Sequence, residues 1–119
     1  MEKLFVAEFT NEALDQLEQL SNSDYKKIIK AISIFEQVGT KYKCINDLGK
    51  DLFELKPDNV RAYFKYVKNR IIIVGLVVLK KTQKAPQRYI EQAHKNIDKY
   101  INDNNMEFQQ CETKLQPKN

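Results

Sequence analysis

The chain has 119 residues, 42% of them hydrophobic, and a formal net charge of +4. That length and periodic apolar content describe one folded domain rather than a disordered chain. No apolar run reaches membrane length and no leader pattern is evident, so a cytoplasmic protein is expected. Cys44 and Cys111 are isolated and His94 is the sole histidine, which excludes a His/Cys zinc site and points to free thiols. The charge is uneven: residues 1–40 carry a net −3, residues 41–90 a net +8 and residues 91–119 a net −1. A basic middle is an electrostatic footprint for polyanions, although a solvated basic face reads the same way.

Taken in chain order, Leu4 to Phe9 alternates as a strand, with Phe5, Ala7 and Phe9 on one side. Thr10 or Asn11 caps a first helix, whose Ala13, Leu17 and Leu20 fall at helical spacing beside Leu14. Ser21-Asn22-Ser23 breaks that pattern. A second helix from about Asp24 to Val38 follows, with Tyr25, Ile28, Ile29, Ile32 and Phe35 as its apolar stripe and Gly39 as its stop. Thr40 to Lys50 reads as a lysine-bearing loop. Leu52 to Lys56 is a strand, Pro57-Asp58-Asn59 a turn, and Val60 to Val67 a second strand. Lys68-Asn69 turns the chain into Ile71 to Leu79, a β-branched run with the character of a buried central strand. Pro86 opens a last helix that runs to Ile101 on an Ile90, Ala93, Ile97 stripe. The predicted organisation is a domain over residues 1–101 and a polar tail over 102–119.

The predicted fold is α+β in the order β-α-α-β-β-β-α. A helical hairpin packs on a mainly antiparallel four-stranded sheet, with the first strand at an edge. Alternation puts Phe53, Leu55, Ala62 and Phe64 against the helices. It leaves Glu54, Lys56, Arg61, Tyr63 and Lys65 on an open face, joined by Lys80 or Lys81 at the end of the neighbouring strand. Arg, Lys and Tyr on one sheet face can grip phosphates and stack a base; an ordinary solvated face is the plainer reading.

Three segments resemble the RelE/ParE superfamily of bacterial toxins, in particular its HigB-like, phage-associated branch. Leu52-Phe53-Glu54-Leu55-Lys56 is similar to the family's L-W/F-E-L-R/K strand. Arg61 opens the next strand where the family has R-x-x-Y/F, and Lys80-Lys81-Thr82-Gln83-Lys84-Ala85-Pro86 is close to its K-K-T-x-K-T-P before a helix. The resemblance spans about Phe5 to Tyr100. It implies a RelE-like fold and the toxin of a type II toxin–antitoxin pair that cuts mRNA on the ribosome without a metal or other cofactor. It implies as partners the ribosome, mRNA and a small helix-turn-helix antitoxin, through which alone operator DNA is bound.

In such an enzyme the 2′-OH of the RNA attacks the adjacent phosphate and the 5′-oxygen leaves, which calls for a base, an acid and cations. The resemblance then assigns Arg61 to the scissile phosphate. Lys80, Lys81 and Lys84 line the same end and stabilise charge or hold flanking phosphates, with Lys81, or a lysine depressed by cationic neighbours, as base. Tyr63 or Tyr66 stacks a base or serves as acid. Glu54 orients Arg61 or Lys56, or is a cross-strand salt bridge, and Lys56, Lys65 and Arg88 touch ribosomal RNA. Gln83 caps the helix start. No histidine lies on the sheet, unlike in some HigB-type enzymes. The competing functions are a ParE-like gyrase inhibitor and an inactive antitoxin-binding module.

Overall fold

A computed structural model describes residues 3–80 and 84–107 of the chain. Strand β1 (Val6–Phe9) leads into α1 (Asn11–Glu18) and α2 (Asn22–Val38). Thr10 Oγ1 accepts from the Ala13 amide and Ser21 Oγ from the Asp24 amide, so each helix begins on a hydroxyl that satisfies a first-turn N–H. Gly39, at φ 63°, ends α2 in a conformation that side chains resist. Strands β2 (Ile45–Gly49), β3 (Leu52–Leu55), β4 (Val60–Val67) and β5 (Ile71–Leu79) follow, then α3 (Gln87–Asp103). The sheet runs β1-β5-β4-β3-β2, with β1 parallel to β5 and every other pair antiparallel.

The α+β order and the edge position of β1 match the sequence reading, but the sheet has a fifth strand. Residues expected to be a loop, Thr40 to Lys50, instead form a short 3-10 turn and β2. A two-residue turn makes the β2–β3 hairpin: Lys50 and Asp51 both have positive φ, 52° and 66°. Asp47 Oδ1 accepts from the Gly49 amide and shapes the approach to it. The hairpin was hidden because its turn is Lys-Asp rather than the Asn-Gly or Asp-Gly that usually announces one.

The sheet separates two cores. On one side α1 and α2 cover Phe53, Leu55, Ala62, Phe64, Tyr66, Ile72 and Val74. There Phe5, Phe35, Phe53, Phe64 and Tyr66 form an aromatic cluster with ring centroids 5.1 to 6.3 Å apart. On the other side α3 lies across Tyr63, Val67, Ile73 and Leu76 through Ala93 and Ile97. The face that alternation left open is therefore covered. Ile90, Ala93, Ile97 and Ile101 give α3 an apolar stripe that the hairpin α1–α2 cannot bury, and the second sheet face is what remains.

Gly75 controls how closely α3 docks. A Cβ there would collide with the Ile97 side chain and press on the Ala93 carbonyl. Gly75 is also the extra residue of a β-bulge, since Phe64 pairs with Val74 and Tyr63 with Leu76. Backbone groups beside the bulge are taken up by side chains from both layers. Asn96 of α3 donates to the Gly75 carbonyl at 2.8 Å, and Gln16 of α1 accepts from the Val77 amide at 2.7 Å. Beyond α3, the Met106 amide donates to the Ile101 carbonyl, Met106 packs on the second core, and Glu107 pairs with Lys68. Among the described residues no helix is long and apolar enough to cross a membrane.

Candidate active site

The bulge decides which side of the sheet receives the cation at the end of β5. Counted by twos, Lys80 belongs with Ile72 and Val74 under α1 and α2. The extra residue at Gly75 resets the count, so Leu76, Val78 and Lys80 fall on the α3 side. The Lys80 amide donates to the Asn59 carbonyl at 2.8 Å, which fixes the backbone just past the strand. Its side chain then turns toward Glu54.

Glu54 is the centre of the cluster. It is fully buried on β3, opposite Tyr63 of β4 and opposite Asn46 of β2. Its Oε2 lies 3.6 Å from Lys80 Nζ and 3.7 Å from Arg61 Nε, and its Oε1 accepts from Asn46 Nδ2 at 3.1 Å. The Lys80 side chain is 2% exposed and the Arg61 side chain 12%. Arg61 is held further by its own turn, Nη1 donating to the Asp58 carbonyl at 2.6 Å and to Val60 at 3.0 Å. A buried carboxylate facing two cations keeps one net positive charge in a place shielded from water. Such a charge acts on a nearby anion more strongly than a solvated one.

The expected site residues fall into three groups. Glu54, Arg61, Tyr63 and Lys80 come together. Lys84 and Arg88 stand at the same end of the sheet and are exposed, while their neighbours Ala85 and Tyr89 pack on the core that holds Tyr63. Arg88 lies over the Tyr89 ring at 5.0 Å, and Lys56, half-exposed, leaves β3 nearby. Lys81 and Gln83 lie outside the described residues. Glu54 contacts Arg61 and Lys80, not Lys56, within the buried cluster.

Three residues are placed differently from an open RNA-binding face. Tyr66 sits in the aromatic core beneath α1 and α2. Lys65, with a side chain 7% exposed, pairs with Asp98 of α3 at 2.8 Å and ties the helix to the sheet. Tyr63 is completely covered. Burial, reinforced by the Glu54 carboxylate, pushes its hydroxyl well above the ordinary phenol pKa. In this arrangement its ring cannot stack on a base and its proton is held tightly. Strand alternation placed Tyr63 and Lys65 on the correct side, but not what would cover them.

Asn46, Asp98 and Tyr89 take part in this architecture without having been singled out in the sequence. Asn46 belongs to the unrecognised hairpin, and Asp47 two residues before Gly49, at the end of β2, was its available signal. His94 lies beside Lys65 and Asp98 on α3; burial first, then the Lys65 charge, lowers its pKa. Among the described residues no group of His, Cys, Asp or Glu has the arrangement to hold a metal ion.

Solved structures share this architecture. The isolated RelE toxin from E. coli superposes with a TM-score of 0.54 at 12% identity, covering 74% of this chain and 97% of that one. The archaeal RelE-RelB complex from Pyrococcus horikoshii gives 0.54 at 14%, covering 67% and 99%. The toxin-antitoxin complex RelBE2 from Mycobacterium tuberculosis gives 0.55 at 12%, covering 64% and 98%. The fold is thus that of the RelE toxins. Within that class, residues 15–98 match the model of the phage derived protein Gp49-like family (DUF891), and the chain belongs to that family. Comparison with curated protein sequences gives no match.

Proposed function

We propose that this protein is the toxin of a type II toxin–antitoxin pair and that it cleaves mRNA presented by the ribosome. The observation that carries the reading is the Arg61–Glu54–Lys80 cluster at the end of the sheet from which Lys84 and Arg88 project. Structures of the same fold described as a RelE toxin and as toxin-antitoxin complexes support it.

The reaction is an intramolecular transesterification. A base removes the proton of the 2′-OH, the 2′-oxygen bonds to phosphorus, and the P–O5′ bond breaks as a proton reaches the leaving oxygen. The products are a 2′,3′-cyclic phosphate and a 5′-hydroxyl. Negative charge grows on the phosphoryl oxygens, and the Arg61 guanidinium, fixed by two carbonyls, is the cation assigned to it. Lys80 lies behind Arg61 and adds a buried positive charge to the same region. Lys84 and Arg88 hold the flanking phosphates. Lys81 keeps the assignment of base. Tyr89, half-buried at the rim, takes over the stacking role considered for Tyr63 and Tyr66.

The ribosome's part belongs to the same reading. The Arg61 side chain is 12% exposed and held by its own turn, so another body has to bring the RNA to it in an attacking conformation. The working partners are then the ribosome with its mRNA in the cytoplasm, and an antitoxin, a small helix-turn-helix protein, that silences the toxin.

Primer extension on a defined mRNA in reconstituted translation tests the reading, with and without ribosomes, for wild type and Arg61→Ala. Cuts that need ribosomes and vanish in a folded Arg61→Ala variant are expected. A folded, toxic wild type that leaves mRNA intact while stalling gyrase would replace this reading with the ParE-like one.

A further inference from the structure

We propose that Asn46 is a positioning residue of this site, acting through Glu54 on Lys80 and Arg61. The inference rests on the nuclease reading above and adds a strand, β2, that the three sequence motifs do not include.

The geometry divides the work of one carboxylate. Asn46 Nδ2 donates to Oε1 at 3.1 Å, while Oε2 faces Lys80 and Arg61 at 3.6 and 3.7 Å. A buried carboxylate needs both oxygens compensated. With Oε1 occupied by a neutral donor, the plane of the carboxylate is set and Oε2 is the oxygen presented to the cations. Among the described residues, the groups facing Glu54 are Asn46 from β2, Arg61 and Tyr63 from β4, and Lys80 beyond β5; Tyr89 of α3 lies near Tyr63.

Residue type matters at this position. A lysine or arginine would compete for Glu54 and release Lys80 or Arg61 from it. An aspartate would oppose Glu54 across the strand pair and cancel the positive charge the site keeps. An alanine would leave Oε1 bare. An amide supplies a donor without a charge, and the short Asn side chain reaches because Asn46 and Glu54 are direct cross-strand partners. The backbone holds β2 to that register: the Lys56 amide donates to the Cys44 carbonyl at 2.8 Å and Asp47 closes the turn onto Gly49.

The test is single-turnover, ribosome-dependent cleavage of a defined mRNA by wild type, N46D and N46A, measured from the acid to the alkaline side of neutrality with ribosome concentration varied. In N46D the introduced carboxyl, forced against Glu54, keeps its proton to higher pH than an ordinary aspartate. While protonated it donates as the amide does. N46D therefore cleaves near the wild-type rate on the acid side and loses about tenfold or more on the alkaline side, in the maximal rate and not in half-saturation. N46A is slowed at every pH. Wild-type behaviour of N46D throughout overturns the proposal, as does a loss independent of pH in a variant with an unchanged urea midpoint. If N46D does not fold, N46A decides: a folded, slowed enzyme supports the assignment and an unslowed one overturns it. If the wild type itself does not cut, the nuclease reading fails separately. A carbon-detected NMR titration of the N46D carboxyl then decides, an elevated midpoint supporting the coupling to Glu54 and an ordinary one refuting it.

Discussion

Replacing Glu54 by glutamine removes one charge and almost no volume, and its cost follows from what is left behind. Glu54 is fully buried and the Lys80 side chain is 2% exposed, so neither can turn to water without opening the sheet end. At an effective dielectric of about 20, unit charges at these separations attract by roughly 4–5 kcal/mol per contact before desolvation is counted. The intact triad returns little of that as net stability, because each ion also lost its hydration. Breaking it is different: Lys80 stays desolvated without the Glu54 charge, which costs about 3–5 kcal/mol. For a domain whose whole stability is about 5–15 kcal/mol, that is a large fraction. Urea unfolding of Glu54→Gln should therefore show a midpoint far below wild type with an unchanged slope. Adding Lys80→Met to the same protein should recover at least half of the loss, since the desolvated cation is gone. A loss below about 1 kcal/mol, or a double variant no better than the single one, would refute the view that these charges are mutually compensating.

Arg61→Lys keeps the charge but lacks the planar guanidinium whose Nη1 donates to both the Asp58 and Val60 carbonyls, so ribosome-dependent cleavage should drop about tenfold or more with the unfolding midpoint little changed. Gly75→Ala drives a methyl into Ile97 and should cost about 1–3 kcal/mol in urea unfolding. Asp98→Asn loosens α3 from Lys65 and should cost about 1–2 kcal/mol, with faster amide exchange in α3. His94 has a pKa below the ordinary 6.5, so the unfolded chain takes up its proton first as pH falls. Stability should therefore decline below about pH 6.5 in wild type, and His94→Gln should flatten that decline; an unchanged slope in the variant would refute it.

Much of the architecture was legible because local chemistry and burial agree. Thr10 and Ser21 cap the helices where short polar side chains precede an apolar stripe. The alternation of Phe53, Leu55, Ala62 and Phe64 sorted one sheet face, since only one register buries four apolar groups together. The opposite face was misjudged for a physical reason. Glu54, Arg61, Tyr63 and Lys65 look solvated in sequence because each is polar. Asn46 bonds to Glu54, Lys80 and Arg61 balance its charge at 3.6 and 3.7 Å, and Asp98 pairs with Lys65; that matching is a property of three dimensions.

The strand Ile71–Leu79 shows where sequence reasoning reaches its limit in this fold. A strand that is apolar on both faces carries no alternation, so nothing in it says on which side its end emerges. The deciding residue is Gly75, and its two consequences cannot be separated. As the extra residue of a bulge it brings Lys80 to the side of Glu54 and Arg61. As a residue without Cβ it lets Ile97 approach, so that α3 seats on Tyr63, the cross-strand partner of Glu54. The side on which the cation emerges and the seat of the helix therefore depend on one position. A substitution at Gly75 that moved α3 outward would uncover Tyr63 and let water reach the buried Glu54 and Lys80 beside it, even if the strand pairing survived. Lys80 should then become reactive toward amine-labelling reagents in Gly75→Ala while staying protected in wild type. Equal protection in a destabilised Gly75→Ala would mean that the strand, and not the helix, keeps the cluster dry.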